Sequence, residues 1–238
     1  MNRFVSTLRN VRPLRACALA LALSGAAAVA TPALAAPFTL QSNTVILEER
    51  EGRTAFSITN PGSQPILLLS KVEDLDDQSM AANILVTPAV TRIDPGQSQI
   101  INFSLKKGTA LRREHMLRAS FEGVAQKSEQ GMRMPIRQQI GFIIQPRAVG
   151  AESRPWQDLR FQADGTQLAV HNSGLHVIRV GPVLTLSNGS TGTLPHPYVM
   201  PGQTISVAFD SPISSPDVEI VPLSRYGFAT EKQRLPLR

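Results

Sequence analysis

Beyond Pro37, apolar and polar residues alternate in short runs separated by turn residues, and no stretch sustains the 3.6-residue period of an amphipathic helix. The run "FTLQSNTVILEE" reads as a first strand and "RTAFSITN" as a second. The "NPGSQP" that comes next reverses the chain through Pro61 and Gly62. "ILLLSKVE" follows, apolar almost without a break, which predicts a strand buried on both faces. Asp94-Pro95-Gly96 divides "ILVTPAVTRIDPGQSQIINFSL" into two extended runs, and "HMLRASFEGV" adds another. Roughly seven strands over about 110 residues, with turns this frequent, have the density of an immunoglobulin-like sandwich.

The last run of this half, "QGMRMPIRQQIGFIIQPR", places apolar side chains at Met132, Met134 and Ile136 and repeats the habit at Ile140, Phe142 and Ile144. Methionine is unusual there, since strands favour stiffer β-branched residues. Pro135 has no N–H, so one rung of any ladder on its side must be missing. The residues alone leave two readings open: these side chains face the domain's own core, or they are kept for another molecule.

"PRAVGAESRPW" has prolines near both ends and no period, and reads as a linker. After Trp156 the alternation resumes. Asp164-Gly165 marks a hairpin, and "HVIRVGPVLTL", "QTISVAFDS" and "VEIVPLSRYGF" supply further strands. No short-period repeat stands out. The fold expected is all-β: an N-terminal domain over 36–147, a linker over 148–155 and a smaller β-sandwich over 156–238.

The first 35 residues change the picture of charge and compartment. A basic start, "MNRFVSTLRNVRPLR", precedes the short apolar run "ACALALALSGAAAVA" and the A-x-A site Ala33-Leu34-Ala35, the form of a secretory signal peptide. Cleavage before Ala36 removes the one cysteine, Cys17, so the exported chain can hold neither a disulfide nor a cysteine-ligated metal. It also removes Arg3, Arg9, Arg12 and Arg15, four of the six net positive charges. What remains is no footprint for nucleic acid, and no later run is long enough to insert in a membrane.

Catalytic and metal chemistry find little support. His115, His171, His176 and His196 form no recognisable ligand set, and Gly174 predicts a turn between the middle two. G-x-S-x-G, H-E-x-x-H and G-x-x-x-x-G-K are all missing. "EDLDD" lacks the spacing and glycine of a calcium loop and reads as solvated.

"VTPAVTRIDPGQSQIINF", "RREHMLRASFEGV" and "IGFIIQPRAV" together resemble the PapD-like periplasmic chaperones of chaperone/usher pilus assembly. "LAVHNSGLHVIRVGP" and "YVMPGQTISVAF" look most like the subset serving alpha-type or common-pilus fimbriae. The resemblance covers essentially the whole exported chain. It implies two immunoglobulin-like β-sandwich domains in a boomerang arrangement. It also implies a non-enzymatic periplasmic chaperone, without cofactor or metal, that completes a pilus subunit by donor-strand complementation and delivers it to an outer-membrane usher. Aligned on Pro146, Met132, Met134, Ile136 and Ile140 fall on the family's donor strand.

The resemblance fails at one point. The family's two basic residues for a subunit's terminal carboxylate align with Thr44 and Gly141, neither of which offers a cationic side chain. Arg137 on the donor strand, then Arg92, are the candidate replacements. The alternative of a structural pilus subunit or adhesin conflicts with two complete sandwiches and with the absence of an alternating extension ahead of "APFTL". A strand edge left open in the free chain also points to self-association as a means of covering it.

Overall fold

Alternation becomes strand wherever every second side chain finds a core, and the computed structural model, which describes residues 38–75, 79–109, 111–125 and 135–237, follows that rule in two lobes. The first contains β1 (Thr39–Leu40), β2 (Thr44–Glu48), β3 (Arg53–Thr59), β4 (Ile66–Asp74), β5 (Ile84–Thr87), β6 (Val90–Ile93), β7 (Ser98–Leu105), β8 (His115–Ala125) and β9 (Ile136–Gln145). One sheet runs β1-β3-β7-β5 and the other β2-β9-β8-β4-β6. Every pairing in these sheets is antiparallel except β2 with β9.

Between the sheets, Phe56 stacks on Phe121 at 5.6 Å, and Phe103 meets Phe121 and Phe142 edge-on at 6.4 and 5.2 Å. Leu47, Ile58, Leu68, Ile101 and Ile144 close around these rings. Each such side chain, fully buried, contributes about 1.5–3 kcal/mol.

Three local expectations need correction. "FTLQSNTVILEE" is two strands: β1 pairs with β3 in one sheet and β2 with β9 in the other, so the chain changes sheets between Leu40 and Thr44. "ILVTPAVTRI" likewise splits at Pro88, after which β6 joins β4 rather than β7; proline cannot donate to the ladder that β5 would otherwise continue. And β4 is buried on one face only. Ile66 and Leu68 point into the core, while Leu67 and Leu69 face outward, because a two-layer sandwich has nothing to cover its outer surface.

The second lobe contains β10 (Leu159–Asp164), β11 (Gln167–Asn172), β12 (Ile178–Arg179), β13 (Val183–Leu186), β14 (Thr191–Thr193), β15 (Tyr198–Val199), β16 (Thr204–Ala208), β17 (Asp217–Ile220) and β18 (Gln233–Pro236). Its sheets run β10-β11-β16 and β14-β13-β17-β18, with the short pair β12-β15 beside them. Phe161, Leu168, Val170, Val180, Val207 and Val218 lie in its own core, against which Trp156 packs half-buried.

Both lobes use one device at the same place. Asn60, buried after β3, donates through Nδ2 to the carbonyls of Gln64 and Ile93 at 2.8 and 3.0 Å and accepts the Gly62 N–H at 2.9 Å. Its backbone is bonded to the Asp94-Pro95-Gly96-Gln97 turn. Asn172, buried at the end of β11, donates to His176 and Val199 at 2.8 and 3.0 Å, accepts Gly174 N–H at 2.9 Å, and bonds through its backbone to Met200-Pro201-Gly202-Gln203. A buried amide satisfied this fully ties a turn to a strand several elements further along the chain. The pattern N-x-G with a later P-G-Q is thus an internal repeat marking equivalent corners of the two lobes.

Candidate functional site

The donor-strand expectation concentrates on β9. Met132 and Met134 lie outside the described residues; Ile136, Arg137 and Ile140 lie within them. Along β9 the even-numbered side chains turn toward the core: Phe142 and Ile144 are buried in it and Ile140 packs partly against it. Ile136 shares that parity but is only half-buried, and its neighbour on β8 is Gly123, which offers no side chain to pack against.

The backbone of β9 is used unevenly. On one side β8 pairs with Ile136 through Ile144. On the other, β2 begins only at the Thr44–Gly141 pair, and no described strand lies beside Ile136–Ile140. The Ser70 N–H bonds to Ala89 on the β6 side of β4, and the Gln145 carbonyl accepts from Glu49 N–H on the β2 side of β9. Carrying this alternation through the register of β4, β8 and β9 aims the backbone groups of Arg137 and Gln139 at the open side. The rungs of Arg137 and Gln139 therefore meet no described strand, a template for another chain.

Both arginines expected to replace the missing cations are already paired. Arg137 donates through Nε to Glu122 at 2.8 Å on the outer face of the sheet. Arg92 sits on β6, the far edge of the sheet from β2, and is paired with Asp94 at 2.8 Å. The distance is a matter of strand order, which puts β8 and β4 between β6 and β9.

The sequence reading missed a third arginine. Arg179 of β12 reaches from the second lobe to donate through Nη1 to Thr44 Oγ1 at 2.8 Å and to the Arg225 carbonyl at 2.9 Å. Gly227 leaves room for it: a Cβ there would come within 2.7 Å of Nη2. Burial pulls the Arg179 pKa below the ordinary guanidinium value. It borders an open cleft of about 530 Å³ shared by Ile140, Gly141, Arg118, His196 and Tyr198, the last two stacked with ring centres 4.1 Å apart. Nothing in "HVIRVGP" signals this, since the contact joins residues 135 positions apart. Among the described residues no three His, Cys, Asp or Glu gather closely enough for a metal ion.

The lobes meet beneath the cleft. Met116 and Ile143 of the first pack with Val177 and Met200 of the second. Buried Glu114 accepts the Val177 N–H at 3.0 Å and lies 3.5 Å from Arg225, which also donates to Gln145. Burial raises the Glu114 carboxyl above the ordinary carboxylate range, against the opposing pull of the Val177 N–H and the Arg225 cation. The folded chain therefore holds this proton more tightly than the unfolded chain. Its contribution to stability falls as pH rises from the ordinary carboxylate range through the raised value, and is level above it. Glu114→Gln, which keeps an acceptor for Val177, is expected to remove that slope when urea midpoints are compared with the parent's across about pH 4 to 8.

Known proteins share both this sequence pattern and this fold. The profile of the pili and flagellar-assembly chaperones, PapD N-terminal domain, matches residues 37–150. A fimbrial chaperone of Escherichia coli (strain K12), YhcA, is 28% identical over 195 residues, covering 81% of this chain and 87% of its own. Among solved structures, the SafB chaperone of Salmonella enterica, in complex with the SafA pilin, superposes with a TM-score of 0.72 at 23% identity, over 87% of this chain and 99% of that one. The CupB2 chaperone of Pseudomonas aeruginosa gives 0.66 at 17% identity, over 84% and 100%. Residues 37–150 thus match the PapD N-terminal domain family, and the fold of both lobes is similar to that of solved pilus chaperones.

Proposed function

We propose that this protein is a periplasmic assembly chaperone that binds a fimbrial subunit by lending it β9 and then passes it to an outer-membrane usher. The observation that carries the reading is the half-paired strand: Ile136–Ile140 is held by β8 on one side and by no described strand on the other. A subunit whose own sandwich lacks a strand would find its missing rungs at Arg137 and Gln139 and a plug at Ile136, continued by Met134 and Met132. Strand addition is the established mode of chaperone–pilin pairing. Three such side chains, fully buried, would contribute about 5–9 kcal/mol before the costs of association. The adaptable thioethers suit pockets that differ between subunits.

On this reading residues 1–35 are the export signal, 36–147 the donor lobe, 148–155 the linker and 156–238 the second lobe. The role needs no catalysis and no cofactor, since the subunit's own folding supplies the driving force. The pilin bound to SafB and the tip subunit bound to CsuC in a pre-assembly complex are the corresponding partners of structural relatives. Co-expression with fimbrial subunits should yield a one-to-one complex from the periplasm. Recovery of every subunit unbound, beside abundant folded chaperone, would refute the assignment.

A further inference from the structure

The open side of β9 lies within reach of the protein's own chain. β2 runs parallel to β9 from the Thr44–Gly141 rung onward. Carried backward in the same register, residues 39–43 would stand beside Ile136–Ile140, with Thr39 opposite Ile136 and Asn43 opposite Ile140, and would meet the rungs of Arg137 and Gln139. The chain does otherwise. Ahead of Thr44 it lies in the other sheet, where Thr39 and Leu40 pair with Thr59 and Ile58 of β3.

Parity supplies the reason. Val45 opposite Phe142 and Leu47 opposite Ile144 are all buried in the core, so extending β2 backward would turn Asn43, Gln41 and Thr39 inward and Leu40 and Phe38 outward. In the sheet the chain does join, Phe38 is fully buried and Leu40 packs against the core, while Gln41 and Asn43 stay exposed. Closing its own edge would desolvate two amides and return two apolar side chains to water, with only the rungs of Arg137 and Gln139 to offset the loss.

Hydrogen bonds reinforce this choice. Gln41 donates its backbone N–H to the Ser57 carbonyl at 3.1 Å and accepts the Ser57 N–H through Oε1 at 2.8 Å, so its side chain carries the β1–β3 ladder one rung past the strand. From β9 itself, Gln138 donates through Nε2 to the Phe38 carbonyl at 2.8 Å and ties the start of β1 across the gap between the two sheets.

Building on the strand-lending reading, we propose that residues 39–43 are a built-in competitor for the lending side of β9, kept off it by the polar side chains that Thr39, Gln41 and Asn43 would have to turn inward. The edge is open to a subunit because the chain cannot favourably finish its own sheet.

Gln41→Val/Asn43→Val makes two of the three inward positions apolar. Both residues are exposed in the free chain, and circular dichroism and urea midpoints confirm that the variant folds. In this variant without subunit, amide exchange at Arg137 and Gln139 should slow by about tenfold or more, independently of protein concentration. Subunit capture should weaken by the same factor, since only the open fraction binds. Gln41→Thr/Asn43→Thr, of the same shape as the valine pair but polar, should slow exchange less. Exchange in the valine variant as fast as in the parent would overturn the proposal, and so would equal slowing by valine and threonine. Slowing that grows with concentration would overturn it too, because a second copy would then be covering the edge. Weakened capture with unchanged exchange would make residues 41 and 43 direct contacts of the subunit rather than a bar to self-closure. Each of these results leaves the strand-lending reading standing; a parent that captures no subunit removes that reading and the role of the open side together.

Discussion

Ile136→Asp is expected to reduce subunit capture by about a hundredfold or more while leaving the chaperone folded. Ile136 is only half-buried in the free chain and faces Gly123, so a carboxylate there can stay hydrated. In a subunit groove the same carboxylate would lose its water and gain no partner, a cost of several kcal/mol. On the strand-lending reading Met134→Asp should weaken capture as well. Ile140→Asp should differ, because Ile140 already packs on the chaperone's own core and its replacement lowers stability as well as capture. Pull-down of a co-expressed subunit, read beside urea midpoints, separates the two effects. Undiminished capture by a folded Ile136→Asp variant would remove the strand from the interface.

Phe103→Ala is expected to destabilise the first lobe by about 3–5 kcal/mol, a large share of the roughly 5–15 kcal/mol available to a domain. Phe103 is fully buried and joins the ring of β8 to the ring of β9, so its loss opens a cavity against both sheets. Trp156, the one tryptophan, packs on the second core and reports on that lobe. In urea, the far-ultraviolet dichroism of the variant should fall at lower denaturant than its tryptophan emission changes. Unaltered midpoints would mean that these rings do not hold the sandwich together.

Alternation made the all-β class and most strands legible, because burial on one face writes itself into a period of two. The two sheet switches were not legible. Nothing apolar marks the break between Leu40 and Thr44, and only Pro88 hints at the second. The repeat of Asn60 and Asn172 was present in the letters, as N-x-G with a later P-G-Q, but its meaning lies in hydrogen bonds that reach across turns. For the site, the parity of Ile136 and Ile140 could be read directly. Arg137 and Arg92 could be named as cations but not placed, since strand order and pairing with Glu122 and Asp94 decide what they face. Arg179 was beyond reach for the same reason: a second lobe delivers it to Thr44, and no local pattern encodes that approach.

If the open side of β9 is where a subunit docks, the amides along it must change their exposure when the complex forms. Amide hydrogen exchange at Arg137 and Gln139, measured in the free chaperone and in its subunit complex, tests this most directly. Rapid exchange in the free protein and slowing by about a hundredfold or more in the complex is the predicted result. Amides that exchange equally fast with the subunit bound, while protection appears elsewhere on the chaperone, would contradict it.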